Sequence, residues 1–109
     1  MKAFNVVLTE DAAADLQDII AYIDAQDGPI RADHVLDQYE KVLTKLETLP
    51  GKHLVVSELR DIGIVDFREA LFKPYRVIFR IEGASVFVLL ICDGRRDVTT
   101  LLNARLLRG

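Results

Sequence analysis

The stretch from Phe67 to Asp97, FREALFKPYRVIFRIEGASVFVLLICDGRRD, limits what this chain can fold into more than any other. It holds two charged alternating strands, an almost uninterrupted apolar strand and a turn ending in paired arginines. From Tyr75 to Glu82 the set Tyr75, Val77, Phe79 and Ile81 alternates with Arg76, Ile78, Arg80 and Glu82. Successive side chains of a strand point to opposite faces, so one face seeks a core and the other offers guanidinium groups. After a Gly83-Ala84 turn, Ser85 to Cys92 carries no charge, the pattern of a central strand covered on both faces. The Asp93-Gly94 turn then brings Arg95 and Arg96 to the end of the sheet. Arginines held this way suit a polyanion or an acidic peptide better than a small neutral substrate.

At 109 residues and 12.3 kDa the chain has the size of one domain, spanning residues 1–109. No apolar run approaches the roughly 18 residues of a membrane-spanning helix. The opening MKAFNVVLTEDAAADL has one lysine and then acids, without the basic region and apolar block of a signal peptide. These features imply a cytoplasmic protein with no membrane contact. The single cysteine, Cys92, makes no internal disulfide and reads as a small buried hydrophobe. Charge is divided unevenly. Residues 1–50 hold four Lys and Arg against ten Asp and Glu, and residues 51–109 hold ten against seven, eight of the ten being arginine. The sheet-forming half is the cationic one.

The N-terminal half reads as a strand, Phe4 to Leu8, followed by two helices. Thr9 is placed as an N-cap, with Glu10 and Asp11 favourable against the helix dipole, and Ala13, Leu16, Ile20 and Ile23 follow at helical spacing. Asp27-Gly28-Pro29 ends that helix. A second helix spans Ile30 to Leu49 with an apolar stripe through Ala32, Val35, Leu36, Tyr39, Val42, Leu43, Leu46 and Leu49, which makes an αα-hairpin. Pro50-Gly51 stops it, and Lys52 to Ile64 reads as a loop with one irregular extended piece. Asp97 can cap a last helix carrying Val98, Leu101, Leu102 and Leu106, with Arg105 and Arg108 near its negative end. The expected class is α+β in the order β-α-α-β-β-β-α. Its antiparallel sheet packs one face against the helical hairpin, and a helix closes the chain.

Catalytic motifs are mostly missing. His34 and His53 belong to no metal-ligand spacing, and there is no H-E-x-x-H, C-x-x-C, Gly-rich phosphate loop or G-x-S-x-G. No cofactor or metal is therefore expected. His34 with Asp33 and Asp37 reads as a solvated helix face. Glu58, Asp61, Asp66 and Glu69 flank the middle loop, and salt bridges to neighbouring arginines are their expected fate. Tyr22 and Tyr39 fall on helices, as core or hinge-packing aromatics.

The opening LTEDAAADLQDIIAYI, the FREA strand, PYRVIFRI, and CDGRRD followed by LLNARLL occur in an order and spacing that resemble the ParE/RelE superfamily. These are toxins of bacterial type II toxin–antitoxin modules, and the closer likeness is to the ParE (plasmid stabilisation) branch. The resemblance covers nearly the whole chain. It implies a protein that poisons an essential machine and is neutralised by a cognate antitoxin, ParD-like or another small type, in a hetero-oligomeric complex that touches DNA only through the antitoxin. The implied target in the ParE branch is DNA gyrase; the RelE branch cleaves messenger RNA on the ribosome. RNA cleavage through a 2′-hydroxyl needs cations, a base and an acid. In the nuclease branch a tyrosine or histidine near the C-terminus usually moves the proton, and here neither occurs after Tyr75. The acidic balance also suits ribosomal RNA poorly. The expected activity is thus inhibitory binding of gyrase rather than catalysis. Two other classes stay open: an RNase using Tyr75 or an arginine in place of the missing group, and a non-toxic module that sequesters an antitoxin. Arg76, Arg80, Arg95, Arg96 and Arg105 are the expected target-binding residues. Ile19, Tyr22, Ile23, Tyr39, Arg68, Arg76 and Arg95 are the expected antitoxin-binding ones, taking hydrophobic anchors and acidic side chains from a segment that folds on binding.

Overall fold

The structure, a computed structural model, describes residues 4–107. Arg108, expected near the end of the last helix, lies outside the described residues. Strand β1 (Asn5–Leu8) leads into α1 (Glu10–Asp27), whose N-cap is Thr9 as expected, its side-chain oxygen accepting the Ala12 N–H at 3.2 Å. Gly28, at φ 91°, ends α1 in a conformation that a side chain would strain, and Pro29 opens α2 (Pro29–Thr48) in the next position. A 3-10 turn follows at Pro50–Lys52. The segment expected to be a loop contains a one-turn helix, α3 (Ser57–Arg60), too short to leave a periodic trace. Strands β2 (Arg68–Phe72), β3 (Tyr75–Glu82) and β4 (Ser85–Asp93) come next. The chain then enters α4 (Val98–Leu107), where Asp97 accepts from the Thr100 N–H at 3.2 Å and the Thr100 hydroxyl at 2.8 Å. No helix among the described residues is long and apolar enough to cross a membrane.

The sheet has the order β1-β4-β3-β2. The last three strands pair antiparallel as expected, but β1 lies parallel to β4, from Asn5 against Ser85 to Leu8 against Val88, so the sheet is mixed. The helical hairpin covers one face as expected. Ile23, Val35, Tyr39, Val42 and Leu46 pack there against Phe72, Val77, Phe79, Val86, Val88 and Ile91. Tyr39 is 2% exposed and meets the Phe72 ring edge-on at 6.0 Å.

A β-bulge divides β4. Phe79 stands opposite Val88 and Ile78 opposite Leu90, leaving Leu89 as the extra residue. The insertion shifts the alternation by one. Val86 and Val88 face the hairpin before it, and Ile91 does after it, which turns Leu90 and Cys92 to the opposite face. There they meet Val56, Leu59, Phe67, Val98 and Leu102 in a second core under α3 and α4. The face expected to offer free guanidinium groups is therefore partly covered, and Ile78 at its centre is fully buried.

Arg76 shows the consequence for the arginines. Its side chain is 12% exposed and held by two carboxylates. Glu58 of α3 takes Nη1 at 2.6 Å and Nη2 at 2.9 Å, while Glu69 of β2 takes Nε at 3.1 Å and Nη2 at 2.7 Å. The salt bridges expected of Glu58 and Glu69 are thus formed, and they tie α3 to the sheet. Hydrogen bonding from Arg76 holds the Glu58 carboxyl down at about 2, against the opposing effect of its burial.

Two outcomes are expected. Deleting Leu89 would make Val88 and Leu90 consecutive opposite Phe79 and Ile78, so Leu90 and Cys92 would keep facing the second core; the cooperative thermal transition seen by near-ultraviolet circular dichroism should persist, at a lower midpoint because Arg105 loses the Leu89 carbonyl. Arg76→Met would leave two carboxylates facing each other and should lower stability by about 2–3 kcal/mol in denaturant melts at neutral pH. The folded-state Glu58 carboxyl titrates below its unfolded value. Its contribution is therefore present above about pH 4.5 and lost as pH falls toward 2. Glu58→Gln should flatten the acid limb of the stability profile over that window.

Candidate partner-binding surface

Strand β1 stops at Leu8 while β4 runs on, so among the described residues the β4 edge beyond Val88 has no strand beside it. Side chains take over. The Thr9 N–H and hydroxyl donate to the Val88 carbonyl at 3.1 and 3.0 Å. Asp15 of α1 then accepts the Ile91 N–H at 2.9 Å, and Arg105 of α4 donates to the Leu89 carbonyl at 2.8 Å. Asp15 and Arg105 pair with each other through two bonds of 2.5 Å. This clamp satisfies the bulge and holds α1 and α4 on opposite sides of one strand edge.

Between those helices lies a cleft of 340 Å³. Asp18, Ile19 and Tyr22 form the α1 wall, Arg96 and Leu101 the α4 side, and Tyr75 and Asp93 the end. Tyr22 is 67% exposed. Asp18 and the Arg96 side chain have no hydrogen-bond or ion-pair partner among the described residues. Burial, then the nearby Asp93, pushes the Tyr75 hydroxyl up, away from use as a base at neutral pH. Among the described residues no group of three His, Cys, Asp or Glu is placed to hold a metal ion.

The expected site residues separate into three groups. Ile19, Tyr22, Arg96 and Arg105 line this cleft, although Arg105 is already engaged by Asp15. Arg95 is exposed beside it, its side chain 91% accessible and bonded to Asp93 at 3.1 Å. The rest lie elsewhere. Ile23 and Tyr39 are core residues, which corrects their expected role as antitoxin contacts, because the stripe that made them conspicuous is the stripe that packs on the sheet. Arg76 is likewise withdrawn from both proposed surfaces by Glu58 and Glu69. Arg68 donates to the His53 carbonyl at 2.6 Å, and Arg80 leans on Glu82 at 3.3 Å, near the other end of β3. Sequence reasoning missed Asp15 and Asp18. Their only signal was a shared helix face with Asp11, the usual mark of a solvated face.

A second concavity runs along the outside of the hairpin. Leu16 and Ile20 of α1 face Ala32 and Leu36 of α2 across a largely apolar groove of 550 Å³. The two histidines stand apart from both surfaces. His34 is exposed on α2, and His53 meets the Phe79 ring edge-on at 5.8 Å, its pKa lowered by burial and then by Lys45 and Arg68.

The family model for the ParE toxin of the type II toxin-antitoxin system, parDE, matches residues 6–98. Toxin ParE3 of Caulobacter vibrioides is 28% identical over 101 residues, covering 93% of this chain and 97% of that protein. A solved chromosomal ParDE TA system from P. aeruginosa has the same fold, with a TM-score of 0.69 at 19% identity, across 84% of this chain and 96% of the matched one. With a helical hairpin and a closing helix set on a mixed sheet, and residues 6–98 matched, the chain belongs to the ParE toxin family of type II toxin–antitoxin systems.

Proposed function

We propose that this chain is a single-domain cytoplasmic toxin that inhibits DNA gyrase by binding it, and that a ParD-like antitoxin neutralises it and makes any DNA contact of the complex. The observation that carries the non-catalytic reading is the state of Arg76. The sheet arginine best placed to steady a phosphorane is neutralised by Glu58 and Glu69, so its fork has no free edge for a scissile phosphate. The proton-transfer groups argue the same way. Tyr75 has its hydroxyl pushed up, and both histidines lie away from Arg95 and Arg96. A protein that works by occupancy needs only exposed, firmly held contact residues. Arg95 and Arg96 meet that need at the turn between β4 and the Asp97-capped helix.

Neutralisation is assigned to the outer groove of the hairpin, where Leu16, Ile20 and Leu36 are only partly buried and the neighbouring face is rich in acids. An amphipathic helix can seat its apolar residues there at helical spacing.

The folded Arg95→Glu, Arg96→Glu double variant is expected to lose gyrase inhibition by more than about tenfold in a supercoiling assay, with an unchanged melting temperature. The wild-type protein is expected to produce no cuts in ribosome-programmed messenger RNA; cuts abolished by Arg76→Ala would overturn the reading in favour of a nuclease. Ile20→Glu should weaken capture of the co-expressed antitoxin by at least about tenfold while leaving toxicity intact, and equal affinity in calorimetry would remove the groove from that interface.

A further inference from the structure

The clamp at the β4 edge leaves part of that edge without a hydrogen-bond partner among the described residues. Strand β1 is held by a parallel pattern in which the Ala84 carbonyl accepts the Asn5 N–H at 2.8 Å and the Val88 carbonyl accepts the Thr9 N–H at 3.1 Å. Beyond the bulge, Leu90 and Cys92 stand opposite Ile78 and Arg76, and the Gly94 N–H donates to the Pro74 carbonyl at 2.7 Å. Backbone groups alternate in direction along a strand, so Ile91 and Asp93 point the other way, into the cleft between α1 and α4. Asp15 has taken the Ile91 N–H, and the turn has taken the Asp93 carbonyl through the Arg96 N–H at 3.0 Å. What faces the cleft is the Ile91 carbonyl followed by the Asp93 N–H. That acceptor-then-donor spacing fits one residue of a parallel strand. An antiparallel strand needs both groups of one residue, and Ile91 has only its carbonyl to offer.

The walls specify side chains. A residue bonded between Ile91 and Asp93 lies opposite Cys92 and turns its own side chain to the α4 side, where Arg96 is unpaired. Its two neighbours in sequence turn to the α1 side. There Asp18 is unpaired among the described residues, Tyr22 lines the same wall, and the Tyr75 ring closes the end beside it. A carboxylate against Arg96 and a cation between Asp18 and the tyrosines complement these walls.

We propose that this cleft is a strand-addition site for an extended segment of a protein partner, running parallel to β4, with an acidic residue at the clamped position and a basic residue beside it. The site lies away from the hairpin groove and needs only a peptide, so it can stand or fall separately from gyrase inhibition and from antitoxin capture in that groove. The segment continues the track that β1 leaves at Leu8 and completes the sheet edge that Asp15 and Arg105 only begin to cover.

The test is titration of the whole isotope-labelled protein with the peptide acetyl-Val-Arg-Glu-Arg-Val-amide, followed through backbone amide shifts. Saturable shifts are expected at the Ile91 and Asp93 amides and around Tyr22. The same peptide N-methylated at glutamate lacks the clamped N–H and should bind at least about tenfold more weakly, as should the all-glutamine version acetyl-Val-Gln-Gln-Gln-Val-amide. Asp18→Lys and Arg96→Glu lie at the surface and should each weaken the first peptide to a similar degree without changing the melting temperature. No saturable shift at millimolar peptide, or equal binding by the N-methylated form, would overturn strand addition. Equal binding of the charged and glutamine peptides would overturn the assigned side-chain pattern.

Discussion

The extra residue in β4 is the constraint on which the rest of the structure depends. A strand in strict alternation serves each face with every second side chain, and β4 has to serve the hairpin along its whole length and a second core only at its far end. The bulge at Leu89 sets the phase in which it does so, placing positions of the same sequence parity on different faces before and after it. Val86 and Val88 stay with the hairpin, while Leu90 and Cys92 become available to α3 and α4. A bulge interrupts the ladder locally, and backbone polar groups left unpaired near a core are expensive. The Asp15–Arg105 pair answers that need directly, with Asp15 taking the Ile91 N–H and Arg105 reaching the Leu89 carbonyl. Because these two residues belong to helices on opposite faces of the sheet, the same bonds fix the width of the cleft between them.

The arginines, so prominent in the sequence, divide according to where α3 and α4 lie. Once a short helix brings Glu58 over the sheet, Arg76 becomes an internal tie whose charge is balanced by two carboxylates. Arg105 becomes another, balanced by Asp15. Surface arginines such as Arg95 keep only a solvent-screened bond to a neighbour, and such bonds add little stability and are readily exchanged for a partner's groups. The cationic half of the chain is thus less cationic toward a partner than its composition suggests. At one end of the sheet Arg95 and Arg96 keep exposed charge.

That division links stability to function in a simple way. The groups that hold the fold are paired and partly buried, and the groups left unpaired around the cleft, Asp18 and Arg96, sit on elements those pairs keep rigid. Recognition residues mounted on a rigid frame lose little further entropy on binding.

Much of the fold was legible in the sequence because it rests on local signals. Thr9 and Asp97 cap their helices with their own side chains, Gly28 and Pro29 break the hairpin by backbone geometry alone, and the alternation in Tyr75–Glu82 names its inward face correctly. Family membership was legible for the same reason, as an ordered set of local motifs. The sequence by itself did not determine the parallel pairing of β1, the bulge at Leu89, the one-turn helix at Ser57–Arg60, or the partners of Arg76 and Arg105. Each of these depends on residues far apart in the chain, such as Asp15 and Arg105, meeting across the sheet, and no periodicity records such a meeting. The candidate site was therefore legible only in part. Which arginines face a partner was decided by tertiary structure, because a guanidinium is free or spent according to which carboxylate the fold brings within reach.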